Sequence, residues 1–127
     1  MFSHVMVGSN DLDESKAFYD ATFGALGVRP ARIDDHGRLI YANNGGIFMV
    51  TAPIDGQAAC HANGGTIGFA ASSPEQADAW HAAGVANGGV ACEDPPGFRE
   101  GGFGKLYLAY LRDPAGNKLC ALHRPAA

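Results

Sequence analysis

The side chains of this 127-residue chain that could do chemistry are few and scattered. His4 opens an apolar, Val-rich stretch, and Cys120 lies inside another near the opposite end. An imidazole can hold a metal or accept a proton. A thiol facing it could serve as a nucleophile, although a cysteine within a strand is more often a small, inert apolar group. Tyr107 and Tyr110 are three apart on an expected strand, so they point to opposite faces. One of the two hydroxyls can therefore reach a ligand, and alternation alone leaves open which. Arg99 lies in a Gly/Pro-rich segment, from which it could close over a site and bind an anion. His36, His61, His81 and His123 share no metal-ligand spacing and are expected at the surface or rim.

The elements that must position these groups come in two similar copies. Residues 2–28, FSHVMVGSNDLDESKAFYDATFGALGV, shifted by 62 positions without a gap, meet residues 64–90, GGTIGFAASSPEQADAWHAAGVANGGV. Ala17 falls on Ala79, Phe18 on Trp80, Ala21 on Ala83, Gly27 on Gly89 and Val28 on Val90. Self-similarity at a fixed offset predicts a duplicated module. Two copies at this spacing are too few and too long for a solenoid, and the length is that of one ordinary domain. With 46% hydrophobic and 17% charged residues the chain can bury a core. A net charge of −4 supplies no basic face for nucleic acid. No apolar run approaches membrane-spanning length, and the N-terminus lacks a signal-peptide layout. Three widely spaced cysteines without a CxxC predict free thiols in a reducing, cytoplasmic setting.

Within each copy the pattern predicts strand, helix, then three strands. Phe2–Val7 alternates as a strand. Asp11, with Glu14 three residues on, predicts a capping box for a helix over Leu12–Phe23, ended by Gly24 and Gly27. Strands follow at Val28–Ile33, Arg38–Ala42 and Ile47–Thr51, the last two joined by the hairpin signal Asn44-Gly45. Residues 52–64 link the modules, which span 1–52 and 64–127. The second module predicts a strand at Gly65–Ala70 and a helix from Pro74 to Ala86, with Ser73 as N-cap and Gln76 closing its box. Strands then follow at Val90–Cys92, Lys105–Leu111 and Lys118–His123. Nine extra residues in the second copy fall in Glu93–Gly104, read as a long surface loop of functional length. One helix can cover one face of each sheet. The other faces, set side by side, would make a cup for a ligand.

This doubled βαβββ pattern resembles the vicinal oxygen chelate superfamily of glyoxalases, bleomycin-resistance proteins and extradiol dioxygenases. The closest likeness lies in His4-Val5, in Ser9–Tyr19 (SNDLDESKAFY) and in Leu111–Leu119 (LRDPAGNKL). The resemblance implies an α+β fold of two tandem modules forming a cupped, partly closed mixed β-sheet barrel with helices outside. It also implies a small-molecule ligand in the cup and a homodimer. Metal-using members bring four positions together in the cup, matched here by His4, Met49, Thr66 and Cys120. The family's usual His and Glu are missing at the third and fourth. Soft Met and Cys do not suit hard, oxygen-chelating chemistry. The set therefore predicts a binding protein without a cofactor, its ligand touching His4, Met49, Thr66, Arg99, Cys120 and one of Tyr107 and Tyr110. The alternative is a lyase or dioxygenase with a divalent metal held by His4 and a loop carboxylate, Glu93 or Glu100.

Overall fold

The computed structural model describes residues 1–126. The first module contains β1 (Val5–Gly8), α1 (Leu12–Ala25), β2 (Arg32–Ile33), β3 (Leu39–Asn43) and β4 (Gly46–Thr51). The second contains β5 (Ile67–Ala70), α2 (Pro74–Ala86), β6 (Val90–Ala91), β7 (Gly97–Gly101), β8 (Gly104–Arg112) and β9 (Lys118–His123). The offset of 62 carries β1 onto β5 and the N-cap Asp11 onto the N-cap Ser73. The strands form two mixed sheets and no closed barrel among the described residues. One runs β1-β4-β3-β2. The other runs β5-β9-β8-β6, with β7 also paired to β8. In each sheet the first strand lies parallel to the last of its module, and the remaining pairings are antiparallel.

Local chemistry explains the element ends. Asp11 accepts the Glu14 N–H at 3.1 Å, as its spacing requires. Glu14 does not return the bond. The Asp11 N–H goes instead to Ser9 Oγ at 3.1 Å. Ser73 accepts the Gln76 N–H, and Gln76 Oε1 reaches one residue further back, to the Ser72 N–H at 2.6 Å. Asn44 and Gly45 both take positive φ, 50° and 81°, as the two-residue hairpin between β3 and β4 demands. The first strand is shorter than its alternation suggests, because residues 2–4 gain no ladder partner. Val28–Ile33 shrinks to Arg32–Ile33 for the same reason. The segment expected to be an irregular loop contains β7, whose Gly97–Gly101 pairs with Leu108–Gly104 of β8. Extra residues beside a long strand can satisfy their backbone groups on its free edge.

The core joins both modules. Leu39, Tyr41, Phe48 and Val50 face it from one sheet, and Ala109, Leu111, Leu119 and Ala121 from the other. Phe18, Tyr19 and Phe23 of α1 and Trp80 of α2 fill the space between. The helices touch each other closely enough that Gly84 has no room for a side chain: a Cβ there would meet Leu111 Cδ1 at 2.3 Å and Phe18 Cε2 at 3.1 Å. A buried polar group adds a second tie. Asp113, 2% exposed, accepts the Tyr19 hydroxyl at 2.5 Å and the Asn117 side-chain amide at 2.8 Å. That amide also donates to Gly8 O at 3.0 Å. The β8–β9 turn is thereby bonded to α1 and β1.

Two glycines test this packing in opposite directions. Gly84→Ala is expected to lower stability by about 1–3 kcal/mol through overpacking. Gly24→Ala, on an exposed helical turn with open space around it, is expected to raise it by about 0.5–1 kcal/mol. Urea unfolding followed by circular dichroism measures both. A stabilised Gly84→Ala would refute the close helix contact.

Candidate functional site

The seven residues singled out by sequence do not converge within one chain. Cys120 of β9 sits in register between Gly68 of β5 and Tyr110 of β8. It is 5% exposed, and burial pushes its thiol up, away from the thiolate a nucleophile needs. Tyr110 shares its face. Burial first, then Cys120 and Glu93, raise its hydroxyl too. Lys118 sits at the same surface, bonded to Glu93, with its ammonium 5.3 Å from the centre of the Tyr110 ring. The bond to Glu93 is the main reason the ammonium is raised.

Tyr107 is on the opposite face. Its hydroxyl donates to Asp78 of α2 at 2.6 Å, and that bond is the leading cause of its being pushed up to about 12. Of the two tyrosines it is therefore Tyr110 that lies beside Cys120. Arg99 is not free to take an anion from above. Its guanidinium is spent on the carbonyls of Asp94, Pro95 and Gly97, each at 3.0 Å, and fastens its own segment.

On the first sheet, Met49 pairs with Met6 of β1 and Ile40 of β3, and the three form a half-exposed apolar row on the side away from the core. Thr66 is exposed just ahead of β5. His4 is exposed ahead of β1, with Nδ1 2.8 Å from Ser3 Oγ. His4 and Cys120 share no hydrogen bond, so the nucleophile–base pair that would activate the thiol is not assembled. The metal reading finds no assembled ligand set among the described residues of one chain. The four matched positions offer one imidazole, one thioether, one hydroxyl and one buried thiol. Glu93 is engaged by Lys118. Among the described residues no three His, Cys, Asp or Glu side chains come together as a metal site would require. The donor set does not fit a divalent metal.

A cavity of about 650 Å³ lies where the modules meet, and it is not the site the sequence marks. Of the seven residues only His4 lines it. Its floor is Phe23 of α1, Tyr41 and Phe48 of the first sheet and Phe69 of the second. Their ring centres lie 4.8 to 5.4 Å apart from neighbour to neighbour. Phe69 also packs, half-buried, against the core cluster. Nothing local distinguishes a ring that lines a cavity from one that fills it.

Two βαβββ modules in tandem, each with its first strand parallel to its last, define a glyoxalase-type fold. The chain belongs to the Glyoxalase/Bleomycin resistance protein/Dioxygenase superfamily, whose family model matches residues 1–121. It is 64% identical to a glyoxalase/bleomycin resistance protein from Albidiferax ferrireducens T118, over 98% of this chain and 99% of that one, with a TM-score of 0.95. More distant structures share the fold. A glyoxalase-related enzyme from Fulvimarina pelagi is 19% identical over 98% of this chain and 89% of its own, at a TM-score of 0.74. Lactoylglutathione lyase from Agrobacterium tumefaciens is 20% identical over 97% and 92%, at 0.66. No curated protein matches significantly.

The thiols order themselves by access. Iodoacetamide at neutral pH is expected to modify exposed Cys60 first, half-buried Cys92 more slowly and Cys120 only after unfolding. Peptide mass spectrometry over time reads this directly. Modification of Cys120 at the rate of Cys60 would mean that the Tyr110 face is open and the thiol reactive.

Proposed function

We propose that this chain is a small-molecule-binding protein of its superfamily that holds its ligand with side chains and has no resident catalytic metal. The observation that carries this reading is the donor set. His4, Met49, Thr66 and Cys120 stand where the resemblance places metal ligands, and they supply one ordinary ligand among them. Of the two loop carboxylates that could have completed the set, Glu93 is committed to Lys118.

The ligand face is the side of each sheet turned away from the core, bearing Met49 on one and Tyr110 and Cys120 on the other. These faces share no core within the chain. On the first sheet Met6 and Ile47 remain 40% and 42% exposed. An apolar face of this kind is stabilised by covering it, and we take the cover to be a second copy, so that the working form is a homodimer with its cup closed across two chains. Three unpaired cysteines fit a cytoplasmic location, and no helix is long and apolar enough to cross a membrane.

Elemental analysis, followed by titration with nickel, zinc, manganese and iron(II), tests the metal-free reading. No equimolar binding is expected. One metal per chain, lost in His4→Ala, would replace this reading with that of a metal-dependent lyase or dioxygenase. Sedimentation velocity tests the assembly. A dimer is expected, and Met49→Asp, which places a charge in the middle of the apolar row, is expected to shift it toward monomer. A wild-type monomer at high micromolar concentration would remove the shared cup.

A further inference from the structure

The cavity between the modules is a second place to hold a molecule, and it meets the face described above at Ile47. None of Met49, Thr66, Arg99, Tyr110 and Cys120 lines it. We infer that this cleft binds an uncharged, planar aromatic molecule bearing one or two hydrogen-bonding groups. Three observations carry the inference.

The first is size. About 650 Å³ is within the range of small-molecule sites, roughly 300–1,000 Å³.

The second is charge. The lining contains no Asp, Glu, Lys or Arg, and His4 is its one titratable group outside Tyr41. The Tyr41 hydroxyl is already given to Asp20 at 2.8 Å, and burial holds it protonated far above its usual range. An ionised ligand would lose its hydration here and find no countercharge, which is costly.

The third is the pairing of floor and rim. Phe23, Phe48 and Phe69 meet edge to face, with interplanar angles of 74° to 86°. A flat ring can add to such a cluster in the preferred offset or edge-on geometries. Around the mouth stand the side-chain amides of Asn43 and Asn44, which make no hydrogen bond among the described residues, and Gln76, whose Nε2 amide is likewise uncommitted while its Oε1 accepts from the Ser72 N–H. These are directional donors and acceptors without charge. Together they select a neutral ligand with a carbonyl, hydroxyl or amide at one end and a ring at the other.

A matched pair of fluorescent probes tests this. N-phenyl-1-naphthylamine is uncharged. 8-Anilinonaphthalene-1-sulfonate has the same ring system with one sulfonate added. Titrated into the folded wild-type protein, the uncharged probe is expected to bind saturably with a blue-shifted emission, and the sulfonate to bind at least about tenfold more weakly. Two variants narrow the cleft. Ser72→Trp acts from the exposed rim, and Val28→Trp from the wall beside α1. Each is expected to weaken the uncharged probe by about fivefold or more, with circular dichroism confirming the fold. Thr66→Val and Cys120→Ser, on the other faces, are expected to leave it unchanged.

Several results would overturn the inference. Equal binding of both probes would remove the charge rule. Loss of the probe in Thr66→Val or Cys120→Ser, with both Trp variants unaffected, would put the ligand in the cup and leave only the proposed function standing. Binding that appears only on dilution below the dimer's dissociation range would mean that a second copy covers the cleft. Absence of saturable binding at every concentration would leave the cleft without this ligand class.

Discussion

A carboxylate buried at the junction of the two modules organises much of this molecule. Asp113 closes its own turn by accepting the backbone N–H groups of Ala115 and Asn117 at 2.9 Å each. It then reaches across the chain to Tyr19, ninety-four positions earlier in sequence, and through Asn117 to the end of β1. A buried charge is tolerable only when its acceptor sites are filled, and here four donors fill them. The consequence is mutual. Docking supplies the Tyr19 hydroxyl as a donor to the Asp113 carboxylate, and that hydroxyl is held protonated, first by burial and then by Asp113 beside it. Deep burial and directional bonds together give one relative placement of the modules. Apolar packing alone would tolerate several.

That placement decides what each surface is for. With α1 and α2 pressed together at Gly84, the helix-bearing sides of both sheets face inward and share one core. The other sides face outward as two separate faces. The same docking leaves the edges β1 and β5 apart at the end where His4, Phe69 and the β3–β4 hairpin stand, and the cleft is the space between them. Face and cleft are both products of how two modules meet. Neither belongs to one module.

The chemistry available follows from these positions. A buried thiol, a tyrosine hydroxyl beside it and a lysine paired with Glu93 make a polar surface. Arg99, the one cation in the inserted segment that might have met an anion, bonds three carbonyls of its own backbone instead. The resulting β7 extends the second sheet, which accounts for the nine residues by which the copies differ. Recognition by shape and hydrogen bonding is what such residues can do well.

The sequence by itself determined the parts whose causes are local. The 62-residue repeat, the alternation of β1 and β5, the caps at Asp11 and Ser73 and the Asn44-Gly45 hairpin depend on contacts within a few residues, and the observed elements follow them closely. It also told which residue types occupy the four positions that the resemblance matches. Three features fell outside its reach. They are the pairing of β7 with β8, the turning of Tyr110 rather than Tyr107 toward Cys120, and the cavity floored by Phe23, Phe48 and Phe69. The first two depend on strand registers, of β7 against β8 and of β9 against β8, and the third on the angle at which one module docks on the other. Periodicity states that a side chain has a buried face. Only the tertiary packing states what lies opposite it, because burial is a property of pairs of surfaces and the second surface is not written beside the first.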